Sequence, residues 1–203
     1  GIGRSKSELA EFACQVEIEM CQEPIGKQDQ YAASFGGLNI FSFEAGGSVK
    51  QDALDIDPFN MNEFLKSVLV FYTGITRSAA SVLGDQVGNT QSGSKDHILR
   101  EMVELVSPFA EALISGDIDQ CGQILDANWK LKKELSNKIS NDIIDEIYDE
   151  AIAAGAVGGK LLGAGAGGFM MFIAPPSKHR SIANRLKKLK QQFWDIDRTG
   201  TSI

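Results

Sequence analysis

Cysteine is scarce and scattered. Cys14, Cys21 and Cys121 are the only three in 203 residues, and they show neither paired nor metal-type spacing. That excludes a disulfide framework and points to a reducing compartment, so a cytoplasmic protein is expected. Basic charge is in deficit, with 20 Lys and Arg against 27 Asp and Glu and a net charge of −7. Sequence-independent nucleic-acid binding needs a basic footprint, so no nucleic-acid partner is expected. No apolar run approaches the roughly 20 residues that cross a bilayer, and no signal-peptide pattern opens the chain. No membrane partner follows from it. Internal repeats and low-complexity tracts are missing too. What remains is a 43% hydrophobic chain able to bury one sizeable core, or one and a part.

Against these absences stands one abundance. Gly158-Gly-Lys-Leu-Leu-Gly-Ala-Gly-Ala-Gly-Gly-Phe-Met-Met-Phe-Ile173 packs six glycines and two alanines between apolar runs. Glycine costs backbone entropy on folding, so such density implies close backbone approach or unusual φ angles. Gly163-x-Gly165-x-x-Gly168 matches the dinucleotide fingerprint as a bare pattern, but that loop must open a helix and be followed by an acidic residue about 20 positions on. Here Phe169–Ala174 reads as a buried strand ending at Pro175-Pro176, and Lys187-Lys188 stands where the acid should. The fingerprint is rejected in favour of strand–glycine loop–strand. The loop is either a hairpin thinned for packing or a surface that lies against a phosphate or a phosphate-binding partner loop.

Ser5-x-x-Glu8 is a capping box, and Leu9, Phe12, Ala13, Val16 and Met20 follow at helical spacing, flanked by Glu17 and Glu19. Next, Lys27-Gln-Asp-Gln-Tyr31 sets five hydrogen-bonding side chains between a Pro-Ile-Gly turn and the small residues Ala32, Ala33, Gly36 and Gly37. The small residues imply close packing around the polar group. There a carboxylate such as Asp29, beside a lysine, can accept or orient a hydroxyl proton. Leu38–Phe43 predicts a strand and Gly46–Pro58 a loop. Val68–Tyr72 predicts a second strand, stopping at Thr73-Gly-Ile-Thr-Arg77. Two hydroxyls and a cation at that strand end could meet an anion, or Arg77 could join a surface ion pair.

Gly84–Lys95 reads as loop. Residues 95–154 read as helical almost throughout, with core stripes led by Ile98, Met102, Leu105 and Val106, by Ile124, Leu125, Trp129 and Leu131, and by Ile143, Ile144, Ile147, Tyr148 and Ile152. The basic run His179–Lys190 reads as the solvated face of a surface helix, and Phe193–Asp197 as a last strand. Strands and helices are segregated, which favours an α+β fold with an antiparallel sheet under helices.

Gly158–Phe169 resembles the third motif of the GHMP small-molecule kinases, a superfamily that includes galactokinase, homoserine kinase, mevalonate kinase and phosphomevalonate kinase. Pro24–Asn39, Phe71–Ala79 and Trp129-Lys-Leu-Lys132 resemble the subgroup of sugar kinases acting on D-glycero-D-manno-heptose 7-phosphate. The resemblance implies a GHMP-kinase C-terminal domain over 58–203, with a ferredoxin-like antiparallel sheet covered by helices. Residues 1–57 would be the remnant of an ATP-binding, ribosomal S5-like N-terminal domain. It implies transfer of the ATP γ-phosphoryl group to a sugar or sugar-phosphate hydroxyl, with ATP and Mg2+ as cofactors. By position, Asp29 is the catalytic residue near the acceptor hydroxyl and Glu17 the metal ligand. Lys27, Gln28 and Arg77 would contact the sugar or its phosphate. Gly163, Ala164, Gly165, Gly167 and Gly168 form the glycine loop at the nucleotide phosphates. The partner is then a small sugar or sugar phosphate, and a homodimer is admitted.

One departure stands out. These kinases carry an earlier Gly-Leu-Gly-Ser-Ser-Ser-type loop around the ATP phosphates, which the 203 residues do not contain. The expectation is a fragment beginning shortly after that loop and inactive by itself. A non-catalytic sugar-binding or dimerising module, or a fucokinase- or galactokinase-like enzyme with another acceptor, are the alternatives.

Overall fold

The computed structural model describes residues 3–76, 93–163 and 165–201. Arg77, Ala164 and all but the end of the expected Gly84–Lys95 loop lie outside them. The chain divides into two compact units, one of residues 1–55 with 195–203 and one of 56–194. A division at 57/58 had put residues 195–203 with the second unit, whereas they pack with the first.

In the first unit, α1 (Lys6–Cys14) starts at the expected capping box: the Ser5 hydroxyl accepts from the Glu8 N–H while the Glu8 carboxylate accepts from the Ser5 N–H. It runs into a π-helical turn, Gln15–Met20, closed by Cys21 N–H to the Val16 carbonyl at 2.9 Å. The wider turn breaks the 3.6-residue register. Ala10 and Cys14 are the buried positions, and Phe12 and Met20 of the expected stripe are exposed. Helix α2 (Gln28–Phe35) ends at Gly36, with φ +67°. Strands β1 (Asn39–Phe43) and β2 (Val49–Ala53) form an antiparallel hairpin, Asn39 opposite Ala53. The expected Gly46–Pro58 loop therefore contains a strand; its Val-Lys-Gln-Asp-Ala sequence carries too little apolar alternation to reveal one. Tyr31 anchors this unit, stacked on Phe35 and edge-on to Phe41 and Phe43.

The second unit is a four-stranded antiparallel sheet in the order β4-β5-β3-β6, with β3 at Val68–Tyr72, β4 at Gly158–Leu161, β5 at Phe169–Ile173 and β6 at Lys190–Gln192. Helix α3 (Pro58–Ser67) leads into β3 from an Asp57 cap. Helices α4 (Asp96–Glu104), α5 (Val106–Ser115), α6 (Ile118–Leu135) and α7 (Asp142–Ala153) separate β3 from β4. Helix α8 (His179–Arg185) follows β5. β6 precedes the Phe193–Asp197 segment expected to be the last strand, and the Phe193 side chain stands in solvent. β3 buries Val68–Phe71 and β5 buries Met170, Phe172 and Ile173, while Phe169 is exposed. Trp129, Phe71, Phe172, Ile144 and Ile139 form the core with them. Val106, Ile143 and Ile152, expected inside, are exposed, since each helix turns only one stripe inward. The basic run is solvated as expected, with Arg185 paired to Glu150.

Helix α6 lies against β4 because both surfaces are bare. A Cβ on Gly158 would sit 1.9 Å from the Gly122 carbonyl oxygen, and one on Gly159 would sit 2.4 Å from the Phe172 ring. Both neighbours are fixed, so Gly158→Ala is expected to destabilise the second unit by about 1–3 kcal/mol, the usual cost of overpacking. Urea denaturation followed by tryptophan fluorescence measures this; unchanged stability contradicts the packing account.

Candidate functional site

In the second unit, β4 and β5 pair with Gly158 opposite Ile173 and Leu161 opposite Met170, leaving residues 162–168 as the connecting loop. The expected strand–loop–strand is present. The Ala166 N–H donates to the Ile139 carbonyl at 2.9 Å and the Gly168 N–H to the Ile75 carbonyl at 3.0 Å. The Thr73 N–H and hydroxyl both donate to the Gly168 carbonyl at 2.9 Å. Lys132 Nζ donates to the Gly163 carbonyl at 2.6 Å. These bonds pin one end of the loop to the segment after β3 and the rest to α6 and the turn that follows it. They also use up the Thr73 hydroxyl, one of the two that could have met an anion.

The glycines serve two ends. A Cβ on Gly167 would lie 2.5 Å from the Ile75 carbonyl oxygen, so this position is bare for packing. Gly163 and Gly168 adopt φ of +74° and +99° with nothing within 4 Å, so they are bare for backbone conformation and border open space. Ala166 also takes a left-handed φ, +65°, while fully buried. A side chain there carries strain that the Ile139 hydrogen bond helps to hold. The N–H groups of Gly163 and Gly167 make no hydrogen bond among the described residues. Such uncommitted, unshielded amides are the chemistry of an anion cradle. One group that sequence reading missed is Lys160 on β4, whose amine donates to Asn128 Oδ1 at 2.9 Å and whose pKa burial lowers.

In the first unit, Asp29 lies in the first turn of α2, where an acidic group complements unpaired N–H groups. It is exposed and has no hydrogen bond or ion pair among the described residues, so the partly buried setting expected for it is absent. Lys27 instead pairs with Glu11 at 3.5 Å. Gln28 is exposed. Glu17 is exposed on the π turn and accepts a hydrogen bond from Gln30 Nε2. Gln30, next to Asp29 in sequence, thus ties the turn bearing Glu17 to the helix bearing Asp29. Nothing in its sequence position marked Gln30 out from its polar neighbours.

Tyr31 donates its hydroxyl to Glu11. An open cleft of about 610 Å³ in this unit is lined by Arg4, Glu11, Phe12, Cys14, Glu19 and Lys27, and by neither Glu17 nor Asp29. Ala33, Gly36 and Gly37 do not enclose the polar group. They meet the 197–201 segment: Gly37 N–H donates to the Asp197 carbonyl at 2.7 Å, and a Cβ on Gly36 would lie 2.3 Å from the Gly200 nitrogen. Among the described residues no group of three His, Cys, Asp or Glu could hold a metal ion, and no helix is long and apolar enough to cross a membrane.

Residues 109–191 match the family model of the GHMP kinases C terminal. This chain carries a GHMP-kinase C-terminal domain. It is similar to a D-glycero-alpha-D-manno-heptose 7-phosphate kinase of Campylobacter jejuni, 34% identical over 97% of this chain and 58% of that protein. A crystal structure from Campylobacter jejuni assigned as a sugar kinase superposes with a TM-score of 0.71 at 32% identity, over 97% of this chain and 56% of that one. An L-fucokinase/L-fucose-1-P guanylyltransferase of Bacteroides fragilis is 28% identical over 93% of this chain and 20% of its own length. The chain thus spans less than two thirds of the length of these relatives. The glycine hairpin at 158–173 falls inside the matched GHMP-kinase domain, and Glu17 and Asp29 lie before it.

Burial first, then the hydrogen bond to Glu11 and that residue's charge, raise the Tyr31 pKa above its usual value. A raised folded-state pKa gives stability that is complete below the unfolded value, ~10, and is lost as pH rises beyond it. Tyr31→Phe is therefore expected to make stability fall less steeply between pH ~9 and ~11. Urea midpoints of both proteins across that range test it, and parallel curves would contradict the assignment.

Proposed function

We propose that this chain supplies the acceptor and metal side of an ATP-dependent sugar kinase. The reaction moves the γ-phosphoryl group of ATP to the anomeric hydroxyl of D-glycero-D-manno-heptose 7-phosphate. The observation that carries the reading is the Gln30–Glu17 hydrogen bond, which joins the turn bearing one candidate carboxylate to the helix bearing the other. The choice of acceptor is supported by the 34% identity to the Campylobacter jejuni heptose 7-phosphate kinase.

Asp29, exposed and unpartnered among the described residues, accepts or orients the proton of the attacking hydroxyl. Lys27, Gln28 and Arg77 contact the sugar or its phosphate. The loop of Gly163, Ala164, Gly165, Gly167 and Gly168 lies at the nucleotide phosphates, with the uncommitted Gly163 and Gly167 N–H groups as its donors. Magnesium, when bound, neutralises charge on the phosphates. Glu17 would hold it: a single exposed carboxylate suits an ion held mainly by phosphate and water, and among the described residues no three-carboxylate cage competes. Positioning and electrostatics then do most of the chemistry.

The 203 residues contain no Gly-Leu-Gly-Ser-Ser-Ser-type loop, and the chain alone is expected to bind the sugar phosphate without turning over. Titration calorimetry with D-glycero-D-manno-heptose 7-phosphate, L-fucose and galactose tests the reading. Binding of the heptose phosphate, weakened roughly 10-fold or more in Asp29→Asn by loss of a charge-assisted hydrogen bond, is the expected result. Heat with none of the sugars would sink it, preference for fucose or galactose would reassign the acceptor, and ATP turnover by the chain alone would overturn its inactivity.

A further inference from the structure

We infer that Gln30 is a positioning residue that holds the Glu17 carboxylate in one orientation for a divalent cation, an inference that rests on Glu17 being the metal ligand. Gln30 is only 6% exposed, in the first turn of α2, and its Nε2 donates to Glu17 Oε2. Its own Oε1 is buried without a hydrogen-bond partner among the described residues. The amide therefore commits its donor to a solvent-facing carboxylate while its acceptor goes unmet, an arrangement that folding stability alone does not favour. The amide orientation is also dictated: turned over, its carbonyl oxygen would oppose the carboxylate.

The chemistry of the donor matters. Lys or Arg at this place would fix the carboxylate equally well but would bring a positive charge against an incoming cation. A neutral amide holds one carboxylate oxygen and adds no net charge, leaving Glu17 Oε1 with no hydrogen bond among the described residues. Glu17 further sits on the π-helical turn, where Glu23 N–H reaches back to the Glu17 carbonyl at 3.0 Å. Outer partners that orient ligating carboxylates typically change metal affinity by 10–100-fold when removed.

The test is an NMR titration of the ¹⁵N-labelled 203-residue chain with Mg2+ alone. In the wild type, the Glu17 amide and the Gln30 side-chain amide are expected to shift together with one midpoint, and Glu17→Gln to abolish both shifts. Gln30→Met, which keeps the volume and removes the donor, is expected to weaken Mg2+ binding at Glu17 about 10-fold with the far-UV spectrum unchanged. An unchanged midpoint in a folded Gln30→Met protein overturns the positioning role and leaves Glu17 as ligand. Should that variant not fold, a Gln30 side-chain signal that stays still in the wild type while the Glu17 amide shifts overturns it equally. No shift at Glu17 in the wild type removes both the ligand and its positioning residue.

Discussion

The second unit depends on a contact made possible by missing side chains. Helix α6 approaches β4 so closely that a Cβ at Gly158 would fall 1.9 Å from the Gly122 carbonyl, and the same helix carries the fully buried Trp129. That approach seats the glycine hairpin against the core. With β4 so placed, β5 can pair with β3 from Val68–Ile173 to Tyr72–Phe169, and the loop between β4 and β5 ends beside Thr73 and Ile75. The open glycines are thus the last link in a chain of packing that begins at Gly122.

The loop itself separates two uses of glycine that composition merges. Gly158, Gly159 and Gly167 are bare because another group occupies the space. Gly163 and Gly168 are bare because their φ angles are positive, and they face open space. Open space at the second kind lets a ligand approach the backbone, since no side chain intervenes. The bland reading of a hairpin thinned for packing and the sharper reading of a phosphate surface therefore describe different residues of one loop.

In the first unit a network of polar contacts takes the place of a large core. Tyr31 binds Glu11, Lys27 pairs with Glu11, and Gln30 binds Glu17. All three donors come from residues 27–31, a run whose polarity gave no hint of its direction. A five-residue polar stretch in the sequence could be a surface loop. Wound into the N-terminal turn of α2, it points Gln30 and Tyr31 inward and leaves Gln28 and Asp29 in solvent. The exposure of Asp29 follows from helical geometry: successive side chains diverge by about 100°.

Much of the fold was legible from local pattern. The Ser5 capping box, the strand at Val68–Tyr72, the glycine hairpin and the helical character of the run between them required only periodicity, caps and turn residues, although three apolar stripes stand for what are four helices. The π turn at Gln15–Met20 escaped, since no residue type marks an i→i+5 bond. The strand at Val49–Ala53 escaped because its partner, not its own sequence, makes it a strand. Ala33, Gly36 and Gly37 were rightly seen as a place of close approach, but the approaching segment is 197–201, about 160 positions away. By itself the sequence settled the α+β class and the glycine-rich loop between two strands. Tertiary structure alone decided which glycines face open space and which amide holds Glu17, because those choices depend on atoms from distant segments meeting at fixed distances.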